Sequence, residues 1–259
     1  MNLYIRQWRE QGQQAVLLLH GLTGCAAIWD GVACRLAEAG YHVVAPDLRE
    51  HGRSGKGGDL CLRAYAADVA GLIHDLHLER PIVVGHSFGA AVAWELCASQ
   101  PDSFSGLVIE DHHPDAGMST LPYWQEWAGS WPERFSSREE AIRYLQEHDR
   151  SLAWWEPSLV PLPNGGWGWA FDTAAMVETI RLAYQQDYWD RLASLTLPVL
   201  LIRGGQSTHL TEETARRMST TIPDCRLVTV PEADHWVHRH PEPYVQLLLP
   251  FLAAWSSDS

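Results

Sequence analysis

The stretch "PIVVGHSFGAAVAWEL", Pro81 to Leu96, decides the fold. An apolar, β-branched run enters Gly85-His86-Ser87-Phe88-Gly89 and leaves as a small-residue segment with helical character. The letters G-x-S-x-G alone arise by chance in roughly one chain in ten of this length. A strand before them and a helix after them are the context that makes a nucleophile elbow. Glycine is required at 85 and 89 because a Cβ at either would collide with neighbouring backbone in so tight a turn. Ser87 is thereby lifted to a helix N-terminus, where the dipole favours developing negative charge. The competing reading is a structural serine in an ordinary strand-to-helix turn.

Outward from this centre, short Val/Ile/Leu-rich runs alternate with amphipathic stretches, the pattern of a parallel sheet covered by helices on both faces. Strands are expected at Ala15 to Leu19, His42 to Ala45, Pro81 to Val84, Leu107 to Glu110, Val199 to Ile202 and Leu227 to Val230. Helices are expected at Trp29 to Ala39, Ala64 to Leu76, Phe88 to Ser99, Thr211 to Ser219 and Glu242 to Trp255. Pro250 is expected to kink or break the last of these, since it removes a backbone donor. From residue 112 to 192 the texture changes: eight tryptophans, a "PLPNGG" turn cluster and helical periodicity without a convincing strand. This segment reads as a helical cap on a core formed by residues 1–111 and 193–259.

The 259 residues suffice for one large α/β domain with an insertion. A formal charge of -13 leaves little basic surface for phosphate backbones or anionic lipid, so neither nucleic acid nor membrane is an expected partner. The opening "MNLYIRQWRE" lacks the apolar core of a secretory signal, and no apolar run approaches the roughly 20 residues that span a bilayer, so a cytoplasmic protein is expected. Cys25, Cys34, Cys61, Cys97 and Cys225 are an odd set without C-x-x-C spacing; they read as small buried apolar residues, not a disulfide framework.

Two further motifs bear on chemistry. In "AVLLLHGLTG", Ala15 to Gly24, a strand opens into His20-Gly21, and the N–H groups of Leu22 and Phe88 are the natural oxyanion-hole donors. His20 is expected to orient that loop rather than act as a base. In "VPEADHWVHRHPE", His235 follows the last strand, the position of a general base taking the Ser87 proton. His238 and His240 read as exposed helix-entry residues. Neither the three histidines 235, 238 and 240 nor Asp111 to His113 has recognised zinc spacing, and no metal or cofactor is expected.

Together, "HGLTG", "APDLREHGRSG", "VGHSFGA", "LPVLLIRGG" and "DHWVHRHPE" resemble, in order, the motifs of the α/β-hydrolase superfamily, and in particular its capped esterase, lactonase and carbon-carbon hydrolase branch. The resemblance covers nearly the whole chain. Two positions depart from it. Glu50 stands where the family commonly has Gly, and Thr208 stands where it commonly has the triad Asp. Threonine carries no charge to stabilise an imidazolium. Asp111, after the strand that follows the nucleophile helix, is therefore expected to be the acid, with Glu110 as alternative and Glu212 after it. Some branches of the superfamily carry the acid at this earlier position.

The resemblance implies a serine hydrolase with Ser87, His235 and Asp111 as its triad, acting on an ester or lactone of a small apolar or aromatic compound. His20, Trp124, Trp127, Trp154 and Trp155 are candidate substrate contacts. Carbon-carbon hydrolysis or a lyase reaction could use the same groups. A third reading is a catalytically inactive small-molecule receptor. A dehalogenase is excluded, because halide displacement needs a carboxylate where Ser87 stands. A monomer or homodimer is expected.

Overall fold

The computed structural model describes residues 1–12, 14–148 and 152–256, and the side chains of all of these but 153 and 154. The strands are β1 (Ile5–Trp8), β2 (Ala15–Leu19), β3 (His42–Pro46), β4 (Ile82–His86), β5 (Gly106–Glu110), β6 (Leu159–Pro161), β7 (Trp167–Trp169), β8 (Val199–Gly204) and β9 (Cys225–Val230). The α-helices are α1 (Asp30–Glu38), α2 (Leu62–Asp75), α3 (Phe88–Ser99), α4 (Leu121–Gly129), α5 (Arg138–Glu147), α6 (Leu152–Trp155), α7 (Thr173–Ala183), α8 (Trp189–Ala193), α9 (Glu212–Thr221) and α10 (Pro241–Ser256). Seven strands form one sheet in the order β1-β3-β2-β4-β5-β8-β9, parallel except for β1. This is the expected α/β-hydrolase architecture. No described helix is long and apolar enough to cross a membrane.

The central strands β2, β4 and β5 are buried along their whole length, because both faces of the sheet are covered. On one face α2, α3 and α9 pack around Trp94, Val92 and Leu201; on the other α1 and α10 pack around Trp29, Val84 and Leu248. β2 lies between β3 and β4, so the chain order reverses there, and the carboxyl ends of β2 and β4 flank the resulting crevice. Gly21 and Leu22 follow the first of these ends and Ser87 the second.

Gly89 lets α3 sit against β2: a Cβ there would stand 2.3 Å from the Leu19 carbonyl oxygen and 2.6 Å from that of His20. Gly89→Ala is therefore expected to lower stability by about 2 kcal/mol. An unchanged midpoint of urea unfolding would contradict this. The departure at Glu50 also has a local meaning. Its φ of +64° is left-handed, the region glycine adopts without strain, and its carboxylate accepts from the Gly57 N–H across the turn.

Three expectations need correction. β1 was not anticipated: it is a half-buried antiparallel edge strand whose Arg6 and Gln7 mask its pattern. The segment between β5 and β8 holds α4 to α8, but also a small antiparallel hairpin, β6 with β7, whose partners Leu159 and Trp169 are joined through the "PLPNGG" turn. Helix α10 runs through Pro250 as one element. That proline lies on the solvent side, where water can satisfy the freed carbonyl, while Leu248 and Leu252 hold both halves to the core.

The inserted segment packs its own cluster around Trp131, which lies 4.5 Å from Trp155 and 4.6 Å from Trp169 by ring centroids. The Ser158 hydroxyl donates to the Thr23 carbonyl, the Gly52 N–H donates to the Ala170 carbonyl, and the Tyr65 and Thr179 hydroxyls share a 2.9 Å hydrogen bond. These contacts seat the segment over the β2 and β4 ends. Tyr188 and Leu192 belong instead to the core around Trp94, although both precede residue 193.

Candidate active site

Ser87 is the first residue beyond β4 and the N-cap of α3, with φ +51° and ψ -124°. That conformation is costly for a residue with a Cβ. It is held on one side by the strand, where the Ser87 N–H donates to the Glu110 carbonyl at 2.9 Å, and on the other by α3, buried from Phe88 through Cys97. Ser87 lines a cavity of about 530 Å³ together with Leu22, Phe88 and His235.

Glu110 ends β5 and Asp111 follows it, and their side chains diverge. Asp111 is fully buried, at φ +50°. Its Oδ2 accepts from His235 Nδ1 at 2.7 Å and from Ser207 Oγ at 2.5 Å, and its Oδ1 accepts from the Gly204 N–H at 3.0 Å. Because the Nδ1 proton is committed to the carboxylate, Nε2 of the neutral ring is the acceptor. Glu110 serves a different ring. Its Oε1 accepts from the His238 N–H at 3.0 Å and from His238 Nδ1 at 2.8 Å. Glu212 pairs with Arg216 on the surface of α9.

The exposed helix-entry reading thus holds for His240 but fails for His238, which is 2% exposed and forms the buried partner of Glu110. Sequence gives no signal for this pair, since its members lie 128 positions apart. The cysteine expectation also fails in part: Cys25 and Cys97 are buried, Cys34 is exposed, and Cys61 and Cys225 are intermediate.

His20 orients its loop. Its Nδ1–H donates to the Gly21 carbonyl at 2.8 Å, and its Nε2 accepts from the Leu48 N–H at 2.9 Å. Both ring nitrogens are thereby occupied, and His20 does not line the cavity, so its candidacy as a substrate contact is dropped. A residue the sequence reading passed over, His51, sits beside it with ring nitrogens 2.6 Å from the Leu22 carbonyl oxygen and 2.7 Å from that of Arg49. It anchors the segment that presents the Leu22 N–H.

Trp124, Trp127 and Trp155 line the cavity, as does Trp236, while Trp131 and Trp169 are core residues of the inserted segment. The Trp154 side chain lies outside the described residues. The remaining wall is rich in imidazoles: His86, His112, His113, His148 and His209. Burial drives His86 and His112 well below the usual imidazole value, with neighbouring imidazoles adding to the effect. Burial also lowers His113, against the opposing pull of Asp115 and Asp111. At neutral pH His86, His112 and His113 are therefore rings without charge.

The histidines at 235, 238 and 240 do not form one metal set, since His235 turns to Asp111, His238 to Glu110, and His240 to solvent. Among the described residues, the grouping with three potential ligand atoms close together is His86, Glu110 and His238, whose atoms lie within 4.8 Å of one another. One oxygen of its carboxylate is already engaged by two donors of His238.

The chain has clear relatives. The model of the Alpha/beta hydrolase family matches residues 16–247. A 2-(acetamidomethylene)succinate hydrolase of Mesorhizobium japonicum is 29% identical, over 95% of this chain and 91% of the relative. Lipase LipV of Mycobacterium tuberculosis is 30% identical, over 76% of this chain and 74% of the relative. Among solved structures, an E-2-(acetamidomethylene)succinate hydrolase superposes with a TM-score of 0.83 at 26% identity, covering 97% of this chain and 100% of that one. A marine microorganism esterase does so with a TM-score of 0.82 at 24% identity, over 97% and 99% of the two chains, a likeness of fold.

Proposed function

From the premise that this chain belongs to the Alpha/beta hydrolase family, we propose that it is a serine hydrolase of carboxylic esters or lactones. Ser87 Oγ attacks the carbonyl carbon while its proton passes to His235 Nε2. Asp111 stabilises the imidazolium so formed, and the Leu22 and Phe88 N–H groups receive the oxyanion. As the tetrahedral intermediate collapses, the bond to the leaving oxygen breaks and Nε2 returns the proton to it. Water then attacks the acyl-enzyme by the same route and frees Ser87.

The observation that carries this reading is the 2.7 Å contact between His235 Nδ1 and a buried Asp111, at a cavity that Ser87 also lines. A carboxylate so placed fixes both the tautomer and the orientation of the base. The family's more usual acid position, after β8, is not required.

The lining supports a small, uncharged, flat or apolar substrate. Trp124, Trp127, Trp155 and Trp236 offer broad aromatic surface. Arg239 is the one Lys or Arg in the described lining, and its charge is already met. Nη1 lies 3.0 Å from Asp234, and the guanidinium lies 4.9 Å from the Trp236 ring centroid. The Mesorhizobium relative is named for a substrate with two carboxylates, which this wall is poorly furnished to receive. Carbon-carbon hydrolysis of a β-diketone-like compound, which would use the same serine, base and oxyanion donors, is the second reading. Turnover of an aryl ester against a diketone distinguishes the two.

A fluorophosphonate probe tests the covalent step. Labelling is expected on Ser87, identified by peptide mass spectrometry, together with loss of activity toward a short-chain nitrophenyl ester. An unlabelled protein would favour the receptor reading.

A further inference from the structure

The loop after β8, freed of the acid, is still built into the site. Ser207, not Thr208, points inward: Ser207 is 8% exposed, whereas Thr208 faces solvent. Its hydroxyl donates to Asp111 Oδ2, the same oxygen that receives His235 Nδ1, and in turn accepts the His209 N–H at 3.1 Å. The backbone turn of this loop thereby sets where the hydroxyl points. Two residues further along, the His209 ring lies on the His235 ring with centroids 3.9 Å apart and planes 19° apart.

We propose that Ser207 and His209 are positioning residues for the acid and base, one fixing the Asp111 carboxylate and the other holding the plane of the His235 ring. The inference rests on the serine-hydrolase reading above. A hydrogen bond to one edge of an imidazole restrains its tilt but leaves the ring free to swing about that bond. A second flat ring stacked on its face removes that freedom. The His86 ring, 4.7 Å away by centroids and tilted by 52°, adds a further wall, and its Nε2–H donates to the His235 carbonyl at 3.0 Å. His209 is exposed on its outer side, but desolvation of its ring, and then the neighbouring His235, hold it below the usual imidazole value, so the stack sets a neutral ring against the base. Ser207 acts at the other end: the carboxylate takes hydrogen bonds on both oxygens, from Gly204 N–H on Oδ1 and from Ser207 Oγ and His235 Nδ1 on Oδ2, which restrain its rotation. Neither residue exchanges a proton with substrate in this scheme.

The test compares the parent with Ser207→Ala, His209→Ala, His209→Phe and Thr208→Ala, by turnover of a short-chain nitrophenyl ester and by the rate of fluorophosphonate labelling. Ser207→Ala and His209→Ala are each expected to lower kcat and the labelling rate by roughly 10- to 100-fold, the size of effect a misplaced reacting group produces, with little change in KM. His209→Phe, which keeps a flat ring and loses the nitrogens, is expected to restore most of the loss. Thr208→Ala should match the parent. The proposal is overturned if a folded Ser207→Ala or His209→Ala labels at the parent rate, if the defect of either lies in KM, or if His209→Phe is as slow as His209→Ala. A labelled parent with such variants would leave the serine-hydrolase reading standing, whereas an unlabelled parent would remove both. Should Ser207→Ala not fold, as judged by its melting temperature, the two His209 variants decide.

Discussion

Asp111→Asn is expected to lower kcat toward a nitrophenyl ester by about 10⁴-fold, as the same exchange does in a serine protease triad. The amide keeps the size of the carboxylate and loses its charge. Its NH₂ group, turned toward His235, would favour the tautomer with Nε2 protonated, which cannot accept the serine proton. Glu110→Gln separates this from a general effect of a buried carboxylate. Glu110 receives its hydrogen bonds from His238, so its replacement should affect stability more than turnover. Measuring both variants beside their unfolding midpoints checks the assignment. Near-parent activity for Asp111→Asn would refute it.

Ser87→Ala should have the largest effect of any single change, about 10⁶-fold in kcat, because it removes the atom that forms the acyl bond. The variant should also resist the fluorophosphonate probe while retaining the fold: alanine relieves nothing at φ +51°, but α3 and β4 hold that conformation from both sides. Substrate binding in the tryptophan-lined cavity should survive, so the inactive variant is the form in which to trap a ligand. Residual turnover close to the parent would mean that Ser87 is not the nucleophile.

The strands around the site were legible because β2, β4 and β5 are buried on both faces and must be apolar throughout. Helix α3 was legible from its first residue to its last, since small residues after Gly-x-Ser-x-Gly have few other uses. Edges and short elements were not. β1 is half-buried and carries Arg6, and β6 and β7 have three residues each, too few for a period to emerge. At the candidate site, the meeting of Ser87, His235 and Asp111 could be anticipated because each follows a recognisable strand. The groups that support them could not. The pairing of His238 with Glu110, the Ser207 bond to Asp111 and the His209 stack join residues from different loops, and a lone His or Ser in a loop gives no sign of its distant partner. Pro250 misled for a related reason, because a local rule cannot see which side of the helix faces water.

β4 and β5 pair directly, with His86 opposite Glu110, so Ser87 and Asp111 are delivered together by one strand-helix-strand unit. His235 lies 124 residues further along the chain. At a ribosomal rate of about 5–20 residues per second, the growing polypeptide holds Ser87 and Asp111 for roughly 6 to 25 s before His235 has even been synthesised. Throughout that interval a half-made molecule carries the proposed nucleophile without the proposed base.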